Sequence, residues 1–363
     1  MTLSPLPCHF RSSKEFPLTA SSLTLAERIE NVLAAACLGD ALGAPPEAMY
    51  PGDIPALFGG KITRFFAPTP MAPFSIGSAP GSLTDDATQM LAMAEILIES
   101  KGQPTLADAA RGLIRWSDDP RGFGRFAGPT TKAAIDRLKA GEDPSVVATP
   151  PLYSASMGTT NGAAMRAPVA GCVRPGDITG AVDVASILSA PTHNTQISWS
   201  GAGAVAAAIA AGLARDGRIS LADAAMAGAE AGEKLAVTRG RFAAGPSVIR
   251  RMELALTIAE RFKGDVDGAM NELGAVIGAG LPMAEAVPTA IGLVVAEGNP
   301  WAVIVAAANA GNDCDTLALI AGSIAAAWTD AIGAPDDLVA ELKLVNGLDL
   351  GAVAAELAAV APR

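Results

Sequence analysis

The sequence predicts an all-α fold organised as one compact domain. Three observations carry that expectation: apolar residues recur at helical spacing from Leu25 onward, no stretch alternates with strand period, and alanine and glycine dominate the last two thirds of the chain. Small residues let helix axes approach closely when ridges pack into grooves. A length of 363 residues would accommodate two domains, but no composition shift or polar linker divides the interior. The expected division is an irregular tail over residues 1–22, with several prolines and no apolar period, then one helical domain over 23–363.

The first helix opens at Thr24, which forms a capping-box pattern with Glu27, and Leu25, Ile29, Val32, Leu33, Ala36 and Cys37 share one face. The sequence then predicts a helix stop and a loop marked by Gly39 and Gly43, followed by the proline-stiffened turn Pro45-Pro46-Glu47. Further helices are expected over 85–99, 106–116, 131–139, 178–188, 198–214, 221–237, 247–262, 266–276, 284–296, 300–308 and 316–332. Asn299 reads as a cap with Pro300 at the first helical position, and that segment leads straight into Asp313.

Composition narrows the function classes. A net charge of −11 repels a phosphate backbone over most of the surface, so nucleic acid is not an expected partner. A small anion remains compatible, held locally by a metal ion and by helix N-termini. The cysteines Cys8, Cys37, Cys172 and Cys314 form no CxxC pair, which argues against zinc and against a disulfide framework and suits a reducing, cytoplasmic setting. The first residues lack an apolar core of signal-peptide length, and no later segment runs ~18 apolar residues without a polar break, so no membrane association is expected.

Two acidic stretches carry the chemistry: Thr84-Asp85-Asp86 in GSLTDDATQM and Asp313-Cys314-Asp315-Thr316 in GNDCDTLALIAGSI. Either alone is an ordinary helix start, with Ser82, Thr84 or Asp313 as cap and aspartate complementing the helix dipole. Together they place four carboxylates at the mouths of two apolar helices in a chain with only 17% charged residues. At about 4 Å and an effective dielectric near 20, each like-charged pair repels by roughly 4 kcal/mol, which a shared divalent cation removes. Carboxylate and hydroxyl oxygens suit Mg²⁺, Mn²⁺ or Ca²⁺. Three further segments are weaker alone. Glu47 lies in GDALGAPPE, a small-residue loop runs from Gly158 through Thr159, Thr160 and Asn161 to Gly162, and His193 precedes an alanine-rich helix. Each has a plain reading as a turn, an anion cradle or a buried hydrogen-bonded histidine.

Read in order, GDALGAPPE, TDDAT, GTTNGAAMRAP, THNTQ and GNDCDTLALIAGSI resemble the ADP-ribosylglycohydrolase family, including the dinitrogenase-reductase-activating glycohydrolases, over about residues 25–332. The resemblance implies an orthogonal all-helical bundle with two Mg²⁺ or Mn²⁺ ions in a cleft. It implies Thr84, Asp85, Asp86, Asp313, Asp315 and Thr316 as metal ligands, and Glu47 with Asp86 as candidates for acid and base work. It also implies substrate contacts from Gly158, Thr159, Thr160, Asn161, Gly162 and His193. The substrate class so implied is an ADP-ribosylated protein or a small ADP-ribosyl or nucleoside compound.

Three departures from the family pattern stand out. Ala87 replaces a threonine, Asn312 and Cys314 alter the second acidic loop, and Phe123 precedes Gly124 where arginine-specific members tend to carry an acidic residue, the Asp118-Asp119 pair being offset. Cys314 is expected to make the site sensitive to oxidation without binding a hard cation. Two rival readings remain beside ADP-ribosyl hydrolysis: a hydrolase of free nucleosides or ribosylated metabolites, and an ADP-ribose-binding protein without turnover. An isoprenoid synthase fits poorly, because only 4% of residues are aromatic and no third aspartate follows Asp85-Asp86.

Overall fold

A computed structural model describes residues 22–119, 122–150 and 157–362. The predicted tail over 1–22, with His9 and Cys8, lies almost entirely outside the described residues. Among the described residues the chain forms helices and no strand. In order they are α1 (Leu25–Gly43), α2 (Ile54–Phe58), α3 (Asp85–Glu99), α4 (Leu106–Trp116), α5 (Phe123–Phe126), α6 (Pro129–Lys139), α7 (Ala167–Cys172), α8 (Ile178–Ser189) and α9 (Gln196–Ala214). They continue as α10 (Leu221–Arg239), α11 (Val248–Arg261), α12 (Val266–Val276), α13 (Met283–Glu297), α14 (Pro300–Ala308), α15 (Cys314–Ala327), α16 (Asp336–Asn346) and α17 (Leu350–Val360). Two single-turn 3₁₀ segments lie at Pro51–Asp53 and Asn161–Ala163.

The starts follow from capping chemistry. Thr24 accepts from the Glu27 N–H while the Glu27 carboxylate accepts from the Thr24 N–H, closing the predicted capping box. Thr105 and Asp108 repeat the device on α4, and Asn299 caps α14 with Pro300 at its first position.

The centre is formed by α1, α9 and α15. α1 lies against α15, α14 and α17, whereas α9 packs on α7, α8, α10 and α15. α9 is long and apolar enough to cross a membrane by length and composition, and 94% of its apolar window is buried inside the protein.

α1 runs through Gly39, against the expected stop there, and ends at Gly43. Both glycines face α15: a Cβ at Gly39 would fall 2.4 Å from the Ala318 carbonyl carbon, and one at Gly43 would fall 2.3 Å from Asp315 Cα. Glycine here is chosen for backbone-to-backbone approach. α15 likewise differs from its predicted bounds, starting at Cys314 and ending at Ala327. The short helices α2, α5 and α7 and the C-terminal pair α16 and α17 were not expected from periodicity. The first three are too brief to show one, and α7 carries Pro168 in its first turn.

Candidate active site

The site begins with Asp40, fully buried on the last turns of α1. Its carboxylate accepts from the Thr84 hydroxyl at 2.6 Å, the Thr84 N–H at 2.9 Å and the Ala87 N–H at 3.3 Å. Those N–H groups belong to the start of α3, which intrahelical bonds leave unpaired. Asp40 thus caps α3 from another helix. Asp85 and Asp86 are thereby released from capping and line an adjacent cleft. Thr84 holds them in place: its Oγ1 accepts from the Asp86 N–H at 3.2 Å, and its own carbonyl accepts from the Thr88 hydroxyl, which Trp116 Nε1 in turn bonds at 3.0 Å. The Thr84 side chain is buried towards Asp40 and is not part of the cleft wall.

The second acidic stretch reaches the same place through a pair of loops. The Ala48 N–H donates to the Asn312 carbonyl at 2.6 Å, and the Asn312 N–H donates to the Met49 carbonyl at 3.0 Å. This staple carries Glu47 to the mouth of α15. One carboxylate oxygen each from Glu47, Asp313 and Asp315 lie within 4.8 Å of one another. Asn161 Nδ2 donates to Asp313 Oδ2, and the Asp315 carboxylate accepts from the Thr316 N–H at 2.9 Å. Glu47, Asp85, Asp86, Asp313, Asp315 and Thr316 therefore meet in one open cleft.

The wall contains Thr160, Asn161, Gly162 and His193. Gly158 and Thr159 stand behind it as anchors, with the Gly158 carbonyl accepting from the Thr195 hydroxyl at 2.7 Å and the Thr159 carbonyl from the Met283 N–H at 3.0 Å. The rim carries Phe74, Arg125 and Phe126. Phe123 turns edge-on to Trp116 with ring centroids 5.6 Å apart, so the position before Gly124 supports the rim from behind.

Burial and mutual repulsion push every acid here upward. Asp40 and Asp313 rise to about 6, chiefly through burial. Asp85, Asp86 and Asp315 rise well above the usual carboxylate range, through burial first and neighbouring carboxylates second. Half-buried Glu47 is pushed up to about 11 by burial and by Asp315, Asp313, Asp85 and Asp40. Asp86 Oδ2 is buried with no hydrogen-bond partner. Such a set of hard oxygens, crowded together with an unpartnered carboxylate oxygen among them, fits a divalent metal.

A pH effect follows. Acids whose pKa values rise on folding stabilise the fold while protonated, and that stability is lost as pH climbs from about 4 through about 6. Metal-free protein should therefore melt higher near pH 5 than near pH 7, and saturating Mg²⁺ or Mn²⁺ should shrink the difference. Thermal melts with chelator and with metal at both pH values check this; identical metal-free and metal-loaded profiles would refute it.

Local chemistry absorbs each departure in the acidic motifs. Ala87 contributes only its N–H, to Asp40. Asn312 adopts φ of 57°, a left-handed conformation that asparagine tolerates better than most residues. The expectation that Cys314 sensitises the site to oxidation does not hold. Its thiol is buried, faces the Gly43 carbonyl at 3.3 Å, and is pushed well above its ordinary pKa by burial and neighbouring acids, so almost no thiolate forms.

Sequence reasoning gave no role to Asp40 or Arg166. Arg166 is 1% exposed, and its charge favours the ionised forms of Asp85 and Asp86. The signal available for both was a charge set in an otherwise apolar segment, LAAACLGDALG and NGAAMRAPVAG.

A family model for ADP-ribosylglycohydrolase matches residues 21–363. The chain belongs to the ADP-ribosylglycohydrolase family. The uncharacterized protein YegU of Escherichia coli is 31% identical over 335 residues, spanning 92% of this chain and 96% of that one. An uncharacterized protein of Archaeoglobus fulgidus is 28% identical over 306 residues, covering 84% and 89% respectively. Among solved structures, a chain of an ADP-ribosylglycohydrolase-related protein complex superposes with a TM-score of 0.63 at 20% identity, covering 93% of this chain and 99% of that chain. That likeness shows the fold, which is all-α.

Proposed function

We propose that this protein is a metal-dependent hydrolase that cleaves the glycosidic bond of ADP-ribosyl groups, from modified protein or from a small ADP-ribosyl compound. The observation that carries the reading is the meeting of Asp85-Asp86, Asp313-Asp315 and Glu47 at the floor of one cleft. Asp85, Asp86, Asp313, Asp315 and Thr316, which line the cleft, would hold two Mg²⁺ or Mn²⁺ ions, and Thr84, bonded to Asp40, would fix the start of α3 behind them. Bound ions would supply Lewis acidity and orientation of ribose hydroxyls.

The residues of the chain do the rest. Hydrolysis joins a water oxygen to the anomeric carbon, breaks the bond to the leaving group, and returns a proton to that group. Glu47 sits beside Asp313 and Asp315 with enough exposure to meet water, and its raised pKa lets it hold a proton at neutral pH. Asp86, with its unpartnered Oδ2, is the second candidate. Asn161 fixes Asp313, and Thr160, Gly162 and His193 give the wall that substrate must touch.

Mass spectrometry of ADP-ribose released from arginine- and serine-linked ADP-ribosyl peptides tests the proposal. Release that requires Mg²⁺ or Mn²⁺, stops with chelator, and falls by roughly 10²–10⁴ in Glu47→Gln is expected, the range that positioned acid and base groups supply. Tight ADP-ribose binding without release would favour a binding protein, and turnover confined to free nucleosides would move the substrate class.

A further inference from the structure

Behind the cleft wall, Arg166, Thr192, His193 and Thr160 are joined in one hydrogen-bond chain. Arg166 Nη2 lies 2.7 Å from Thr192 Oγ1. A guanidinium has only donors and stays charged, so Thr192 Oγ1 accepts there and keeps a single proton to give elsewhere. Two acceptors compete for that proton: the Ser189 carbonyl at 3.3 Å and His193 Nδ1 at 2.8 Å. The shorter contact goes to the ring.

With Nδ1 accepting, the proton of the neutral imidazole must reside on Nε2. Burial, with Arg166 and Arg241 nearby, keeps the ring neutral, its pKa pushed down to about 3. Nε2 lies 2.8 Å from Thr160 Oγ1 and donates to it. Thr160, having accepted, is left with its own proton facing the cleft that it lines. The local packing preserves this arrangement: a Cβ at Gly162 would come 2.8 Å from His193 Cε1 and 3.1 Å from Nε2, pushing the ring off Thr160. The same short segment supplies Thr160, Asn161, Gly162 and Arg166, tying the cleft wall to the cation behind it.

We propose that Arg166, Thr192 and His193 form a one-way hydrogen-bond chain that makes Thr160 Oγ1 an obligate donor to an acceptor oxygen of the bound ligand. Arg166 is then a positioning residue, acting through His193 and never touching substrate. This rests on the ADP-ribosyl reading for the ligand's identity, under which the acceptor class is a phosphoryl oxygen of the diphosphate. The chain of donors itself rests on geometry alone.

Nitrogen-15 NMR of the full-length protein labelled at histidine decides the direction, because only His9 and His193 contribute signals. At neutral pH His193 should show an unprotonated Nδ1 and a protonated Nε2, and Arg166→Lys should keep that pattern while Arg166→Met mixes the two tautomers. A protonated Nδ1 in the parent protein overturns the proposal. Calorimetry with ADP-ribose in Mg²⁺ supplies a second readout: Thr160→Val should weaken binding on the order of tenfold to a hundredfold, as for a lost hydrogen bond to a charged group, with Thr160→Ser close to the parent. Equal affinities for the valine and serine variants would also overturn it. If Arg166→Met fails to fold, the parent tautomer and the Thr160 pair still decide. Absence of any ADP-ribose binding by the parent would defeat the functional reading, and the tautomer would still decide the chain of donors.

Discussion

Asp315→Asn is expected to abolish metal binding and hydrolysis while raising the melting temperature of the metal-free protein. Asparagine has the same shape, and its carbonyl oxygen can still accept from the Thr316 N–H that now bonds Asp315 at 2.9 Å. What it removes is a buried acid that, without metal, must either take up a proton or stand charged beside Asp86, Asp313 and Asp40, the neighbours that raise its pKa after burial itself. Like-charged carboxylates repel by up to roughly 4 kcal/mol per close pair at an effective dielectric near 20, so part of that strain is relieved. Adding metal should invert the order. The parent gains stability by mass action from an ion that binds only the folded state, whereas the variant gains little. Hydrolysis should fall by more than the roughly 10–100-fold that loss of an outer-shell partner of a metal ligand costs. Melts in chelator and in Mn²⁺, with calorimetric titration of the metal, measure both effects. A variant less stable than the parent in chelator, or one that binds Mn²⁺ unchanged, would remove Asp315 from the proposed ligand set.

The sequence made the ends of the site readable and concealed what brings them together. TDD and DCDT announced themselves because paired carboxylates at the mouths of apolar helices are electrostatically costly in so weakly charged a chain, and several helices begin and end at the residues that periodicity and caps predicted, Asp85–Glu99 and Leu106–Trp116 among them. Asp40 was passed over because it sits between Gly39 and Gly43, a spacing that in one dimension signals a helix end. In three dimensions the glycines are the contact surface, and Asp40 caps a helix more than forty residues away in sequence. Arg166 was passed over for a related reason: its partners are Thr192, and at longer range Asp85 and Asp86, none of them local. Periodicity describes a helix's own face and carries no information about which neighbour that face meets. The Glu47 loop illustrates the same limit, since its position depends on two backbone hydrogen bonds that join Ala48 and Met49 to Asn312 and leave no trace in side-chain pattern.

Gly43→Ala should damage fold and site at once. On helix propensity alone it would stabilise α1 by roughly 1 kcal/mol, since alanine is the better helix former. Against this, the new Cβ would lie 2.3 Å from Asp315 Cα and 2.5 Å from its nitrogen, both backbone atoms that cannot rotate away. Overpacking of this kind costs typically 1–3 kcal/mol, and a clash with backbone belongs at the upper end, so destabilisation should win by about 2 kcal/mol. To relieve it, α1 must move away from α15, carrying Asp40 and the start of α3 away from Asp313 and Asp315. Metal affinity should therefore drop together with stability. Gly39→Ala, where the Cβ would meet the Ala318 carbonyl at 2.4 Å one turn deeper, should lower stability comparably. Gly124→Ala in α5 has nothing within 4 Å and should leave both quantities near the parent values. Denaturant unfolding and Mn²⁺ titration of the three variants separate the contributions. If Gly43→Ala unfolds at the parent's midpoint and binds Mn²⁺ with the parent's affinity, close contact of α1 with α15 is not what assembles the acidic floor.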